Sequence, residues 1–158
     1  MIRDGRIVDD EWILLEKDDL TELRPHTIVS LANWTANREK FAKGTQVGLW
    51  LDSDEDPQLI ANDVAALPLI ALNFPIFTDG RAYSTANLLR RVYAFEGELR
   101  AIGDVRRDQM EQMQRCGFNS FHLAKDQDPA TVLAALKAFS YSYQSSIDRP
   151  NPLFRNRK

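Results

Sequence analysis

The chain has 158 residues, 44% hydrophobic and 27% charged, with a net charge of −3 and a pI near 5.4. That is enough for one domain with its own core, and too acidic for a nucleic-acid partner held by a basic face. No apolar run approaches the roughly 18 residues of a membrane span, the N-terminus lacks a signal peptide's apolar core, and a single cysteine, Cys116, allows neither an internal disulfide nor a multi-cysteine metal site. The expectation is a cytoplasmic protein with no membrane or nucleic-acid partner.

Residues 1–16 predict a small β-hairpin in which Arg6-Ile7-Val8 turns at Asp9-Asp10 into Trp12-Ile13-Leu14-Leu15. An acidic linker, Glu16 to Glu22, leads into a regular alternation. Ile28-Val29-Ser30-Leu31 predicts a strand, and Thr35 is placed to N-cap a short helix through Phe41. Gln46 to Leu51 predicts the next strand. Asp56-Pro57 then sets an N-cap acid before a proline at the first helical position, and Ile60, Val64 and Leu67 give that helix one apolar face. Strand 69–74 runs into the loop Phe74-Pro75-Ile76-Phe77-Thr78-Asp79-Gly80-Arg81-Ala82-Tyr83-Ser84. A helix from Ser84 follows, with Ala86, Leu89 and Tyr93 on one side. Glu98 to Ile102 predicts a strand, after which Asp104 is expected to cap a helix bearing Val105, Gln109, Met113 and Cys116, ended by Gly117 in a left-handed turn. Asn119 to Leu123 alternates like a half-exposed strand, and Asp128-Pro129 repeats the acid–proline helix start. Val132, Leu136, Phe139 and Tyr143 form the last apolar stripe, with Tyr141 between them. Residues 145–158, with two prolines and four basic residues, predict an extended tail.

Five β-then-α units in a row require an α/β fold with a mostly parallel sheet and right-handed crossovers. They are too few to close an eight-stranded barrel. The expected organisation is one α/β domain over residues 1–158: an N-terminal hairpin (1–16), a βα core (24–144) and a basic tail (145–158). For strand order, an open sheet of flavodoxin-like order is the first expectation and a partial βα barrel with consecutive strands the alternative. The hairpin would cover a sheet edge.

In either architecture ligands bind at the carboxyl ends of the strands. The residues just past each strand are Asn33, Asp52, Asn73, Asp79, Arg81, Asp104, Arg106 and Lys125. Simple structural roles account for several of them, Asp104 as an N-cap and Asp79-Gly80 as a turn. The stronger candidates are Asp79 and Asp104 as acid/base groups and Arg81 as an anchor for an anionic ligand, with Tyr83 and Ser84 completing its loop. Arg106 and Arg107 stand in the first turn of a helix, where a cation opposes the helix dipole, so an anion at that site would explain Arg106; Asp108 either joins that site or offsets the charge. No Gly-x-Gly-x-x-Gly and no Walker A motif is present, so the sequence carries no cofactor fingerprint. Cys116 sits near a helix C-terminus, where the thiolate is disfavoured, and reads as a buried apolar filler. His26 and His122 lack an i, i+4 partner, and His122 reads as a packed or edge histidine.

Residues 69–84 and 97–123 carry a resemblance. The strings Leu69-Ile70-Ala71-Leu72-Asn73-Phe74-Pro75, Phe77, Asp79-Gly80-Arg81, Tyr83-Ser84, Gly97-Glu98-Leu99-Arg100-Ala101, Gly103-Asp104-Val105, Asp108-Gln109 and Arg115-Cys116-Gly117-Phe118 resemble the bacterial family of unknown function DUF934, as does the closing Asn151-Pro152-Leu153-Phe154-Arg155. Members are described as oxidoreductases of sulfite reduction, a description that rests on genes beside those of sulfite reductase and the sulfonucleotide reductase. The resemblance therefore implies a pathway more than an activity, and it brings no catalytic residues. Sulfite reduction needs a multi-electron centre whose cluster is held by several thiolates, and one cysteine cannot supply them. The leading expectation is an accessory protein that binds sulfite reductase or sulfonucleotide reductase, or an anionic small molecule. A small enzyme working at the strand ends and a structural homodimer module are the alternatives.

Overall fold

The apolar runs of the sequence become strands of one eight-stranded sheet in the computed structural model, which describes residues 1–19, 24–41, 46–136, 144–151 and 155. Strands β3 (Ile13–Leu14), β4 (Thr27–Ser30), β5 (Val47–Leu51), β6 (Leu69–Phe74), β7 (Glu98–Gly103) and β8 (Ser120–Phe121) are parallel and lie side by side in chain order. At the β8 edge, β1 (Ile2–Arg3) pairs antiparallel with β8 and β2 (Arg6–Ile7) antiparallel with β1. The sheet curls into a half-barrel. The α/β class, the mostly parallel sheet and the five βα units are as expected, and the order is that of the partial barrel. The flavodoxin-like order is not found. That order needs crossovers on both faces of the sheet, whereas here the helices and turns pack on one face.

The two faces have separate cores. Leu49, Leu51, Ile70, Leu72, Phe74, Leu99 and Phe121 alternate along the strands into the helix-covered core. The intervening residues Ile28, Trp50, Leu69, Ala71 and Ile102 form a second cluster on the concave face, with Trp12 packed against it. Each fully buried large aliphatic side chain contributes about 1.5–3 kcal/mol relative to exposure, and Ile28, Leu49, Leu51, Leu69, Ile70 and Leu72 are all buried to that degree.

An N-terminal hairpin is present, but with a different pairing from the expected one: Arg6–Ile7 is its second strand, with Ile2–Arg3 as the first, and no turn at Asp9-Asp10 joins it to Trp12 to Leu15. It turns at Asp4-Gly5, where both residues have positive φ (48° and 70°), the backbone a two-residue hairpin turn requires. Ile13–Leu14 is not its second strand and instead pairs with β4 at the opposite edge of the sheet. Residues 8–12 consequently cross from one edge to the other. They are fastened to the middle of the sheet by Asp10, whose two carboxylate oxygens each lie 3.0 Å from Arg100 Nη1. Arg100 is 1% exposed and also pairs with Glu98 at 2.8 Å.

Other local differences have local causes. Helix α1 (Leu31–Ala36) begins earlier than expected because Ser30 caps it, accepting from Asn33 N at 3.2 Å. Thr35 lies inside that helix and donates back to the Leu31 carbonyl. Asp56 and Pro57 start a helical turn as expected, but the segment forms two 3₁₀ turns, Pro57–Ile60 and Val64–Ala66, rather than one helix. The break falls at Asn62-Asp63, and the Asp63 carboxylate is drawn away to Trp34 and Arg38. Ile60, Val64 and Leu67 are nevertheless all buried. Helix α2 (Arg81–Arg91) starts at Arg81 instead of Ser84. Helices α3 (Met110–Arg115) and α4 (Pro129–Leu136) follow β7 and β8, and Gly117 takes the expected left-handed conformation after α3. Phe139, Tyr141 and Tyr143, the end of the acidic linker and most of the basic tail lie outside the described residues.

Candidate functional site at the carboxyl rim of the sheet

The parallel strands deliver their carboxyl ends to one rim, and the loop after β6 stands out on it. Phe74 ends the strand fully buried, its ring 5.2 Å from that of Tyr83 and 5.8 Å from that of Phe118. The chain then emerges, leaving Ile76 and Phe77 59% and 47% exposed. Three backbone contacts fix the loop: Asp79 N donates to the Ile76 carbonyl (3.0 Å), Gln109 Nε2 to the Phe77 carbonyl (3.1 Å) and Asp104 N to the Phe74 carbonyl (2.8 Å).

The last of these contacts depends on Gly103. Its φ is +90°, and a Cβ there would lie 2.3 Å from the Phe74 carbonyl oxygen and 2.5 Å from Asn73 Oδ1. Any side chain would push the two loops apart.

Asp79 and Arg81 meet and form a side-on pair, so the guanidinium expected to anchor an anionic ligand is held by the neighbouring carboxylate. Arg81 Nε donates to Asp79 Oδ1 at 3.0 Å and Nη2 to Oδ2 at 2.6 Å, while Arg81 N also donates to Oδ1. Arg81 Nη2 reaches Ser53 Oγ at 2.7 Å, tying the β6 loop to the β5 loop. The Arg81 side chain holds the Asp79 carboxyl well below the usual carboxylate range, helped by Ser53 and by Arg81 N–H. Next to Ser53, Asp52 accepts from Asn73 Nδ2 (3.0 Å), Ser53 N (2.9 Å) and Lys17 Nζ (3.3 Å). Burial alone would raise the Asp52 carboxyl, but these donors outweigh it and leave it lowered.

Asp104 and Arg106 make the second pair, Nε to Oδ1 at 2.7 Å, and Arg106 Nη1 extends to Asp126 at 3.2 Å. Asp104 is therefore not the helix cap that the sequence predicts. Arg106 holds that position, its N–H satisfied by Gln109 Oε1 at 3.1 Å, because Gly103 turns the chain before the helix can begin at Asp104. Gln109 bridges the two loops, one end of its amide on Arg106 and the other on Phe77. Tyr83 packs half-buried against Phe74, and burial pushes its hydroxyl pKa up. Ser84 and Asp108 are exposed. His122 is neither packed nor at a sheet edge; it lies exposed just past β8, which β1 and β7 flank, with its Nδ1 3.4 Å from Asp10.

On the concave side of the rim a small cavity of about 150 Å³ is lined by Leu14, Leu15, Glu16, Trp50, Asn73 and Ile102. Among the described residues no group of three or more His, Cys, Asp or Glu side chains is close enough to hold a metal ion. No described helix is long and apolar enough to cross a membrane.

The family model for DUF934, described as a bacterial protein of unknown function, matches residues 48–154. The chain belongs to the DUF934 family. No curated protein matches it. The DUF934 match begins inside β5, so it takes in the loops that carry Asp79, Arg81, Asp104 and Arg106, and leaves out Lys17 and the crossing segment with Asp10.

The rim of this DUF934 chain also contains residues that the sequence reading passed over. Gln109 carried a signal, because a polar residue in an otherwise apolar helical stripe needs a buried partner. Ser53 and Lys17 carried none, since their partners come from other units of the fold.

Proposed function

We propose that this protein is a cytoplasmic accessory factor of assimilatory sulfate or sulfite reduction that docks onto the sulfite-reducing enzyme through the rim loop after β6. One observation carries the docking: Ile76 and Phe77 stand exposed on a loop whose backbone is held at three points. Large apolar side chains presented without an ordering cost are what interface anchors consist of. Around them the charged residues are already satisfied, Arg81 by Asp79 and Arg106 by Asp104 and Asp126. An apolar centre ringed by polar groups is the anatomy of a protein interface. The saturated arginines favour this reading over capture of a free anion. The pathway rests on the family resemblance, and sulfite reductase is the first partner to test, with sulfonucleotide reductase beside it.

The test is retention of purified sulfite reductase on the immobilised protein, together with growth of a deletion strain on sulfate. Wild type should retain the enzyme and restore growth. Phe77→Asp, which removes an exposed side chain and so leaves the fold intact, should lose both. Equal retention and growth with Phe77→Asp would overturn the docking site, and a self-association removed by the same substitution would reassign the loop to a homodimer.

A second reading, a small enzyme at the strand ends, is favoured by the concave cavity beside Asn73 and Trp50. It predicts that Asn73→Leu abolishes growth on sulfate while retention of the partner is unchanged.

A further inference from the structure

A cavity larger than the one on the concave side has no part in the rim. It measures about 450 Å³ and lies between the Asp4-Gly5 turn, the C-terminal end of α2, the loop from α3 to β8, helix α4 and residues 147–148. Its volume is that of a small-molecule site. Phe118, Phe121, Leu133, Leu136 and Ile147 supply an apolar wall.

The polar groups in the same cavity are unusual in their pairing. Arg90 donates to the carbonyls of Gly117 (2.9 Å), Phe95 (2.6 Å) and Gly97 (3.0 Å) and to Asn119 Oδ1 (3.3 Å). All four acceptors are neutral, and among the described residues the carboxylate that acts on its charge, Asp4, makes no ion-pair contact with it. Its guanidinium lies 5.3 Å from the centre of the Phe95 ring. A half-buried cation whose direct contacts are all neutral, with the Asp4 carboxylate acting on it only from a distance, is an incompletely compensated charge. At the mouth of the same cavity stand two carboxylates, from the exposed Asp4 and from Asp148, whose side chain is part-buried. Among the described residues, Asp4 accepts from Asn119 Nδ2 at 3.2 Å, and Asp148 from Ser146 Oγ, with Arg149 Nε at 3.6 Å.

We infer that this cavity binds a free α-amino acid with an apolar side chain, its carboxylate toward Arg90, its ammonium toward Asp4 and Asp148, and its side chain on the Phe118–Phe121–Leu136 wall. A simple carboxylic acid would complement Arg90 but face two carboxylates. A simple amine would complement those carboxylates but face the guanidinium. A zwitterion satisfies both, and the apolar wall selects its side chain. The site lies apart from the rim residues, so it does not depend on the docking reading.

The test is calorimetric titration of the full chain, with melting curves in parallel, using L-leucine and L-phenylalanine as probes. Phenethylamine and 3-phenylpropionate serve as controls that each lack one charge. Binding of the native state raises its apparent stability, so both amino acids should give a saturable rise in Tm. The controls should bind about tenfold or more weakly, the factor that corresponds to about 1.4 kcal/mol. Arg90 holds three backbone carbonyls, so its replacement risks unfolding. Asp4→Asn and Leu133→Trp probe the site instead, the first removing a charge and the second filling the cavity. Asp4→Asn should weaken both probes about tenfold, and Leu133→Trp should abolish binding without lowering Tm. Absence of saturable binding by either amino acid would overturn the inference. So would equal binding of 3-phenylpropionate, or undiminished binding by Leu133→Trp.

Discussion

Arg81 and Asp79 show how much one side chain can hold. The fork of Arg81 occupies both oxygens of Asp79 and reaches Ser53 in the neighbouring loop. Lysine keeps the charge but cannot span these acceptors. Arg81→Lys should therefore fold with a near-normal Tm at neutral pH and bind its partner more weakly, because the β6 loop loses its tie to the β5 loop. The pair also has a pH signature. A carboxyl lowered in the folded state contributes stability that is present above its ordinary value, 3.8 for Asp79, and lost as pH falls through the folded value. In Arg81→Lys, Asp79 should move back toward its ordinary value, and acid unfolding followed by circular dichroism should be shallower below that pH. An unchanged acid limb would mean that the pair does not persist in solution.

Cys116 is 5% exposed, and burial pushes its thiol up, so the thiolate is disfavoured. Cys116→Ser should leave sulfate-dependent growth intact and lower stability by about 1–2 kcal/mol, since a hydroxyl replaces a small apolar filler. Rapid thiol modification of the native protein would contradict this. The burial was legible in the sequence, because Cys116 continues the stripe of Val105, Gln109 and Met113, all buried. The pairing of Arg106 with Asp126 was not legible, since those residues belong to different units and meet only once β7 and β8 lie side by side.

At the scale of elements, the strands were the most legible part. β4 to β8 each lie within or overlap an apolar run bounded by turn residues. Helix boundaries were less so, because the deciding caps are local competitions: Ser30 wins over Thr35, and Gly103 displaces Asp104. The segment from Val8 to Trp12 was misread entirely. Its partners, Arg100 and the concave cluster, are remote in sequence, and no local pattern announces them. Asp10 is the point at which that segment is fastened. Asp10→Ala should cost about 1–3 kcal/mol, the penalty for depriving a buried charged group of hydrogen bonds; Glu98 still holds Arg100. Chemical denaturation of Asp10→Ala measures it, and a cost near zero would mean that Trp12 alone holds the segment in place.

For the whole molecule, the strand order β2-β1-β8-β7-β6-β5-β4-β3 has a consequence for the timing of synthesis. A ribosome makes the first residues first, yet Ile2 and Arg3 have their partners at Phe121 and Ser120. Asp10 likewise meets a partner, Arg100, that emerges much later. The β1–β2 hairpin must therefore wait, its β8-facing edge unpaired, until nearly every other strand exists. Contacts so distant in sequence form slowly, and an unpaired strand edge is a point of misassembly. Of all the elements of this chain, the earliest made is the one that closes the sheet last.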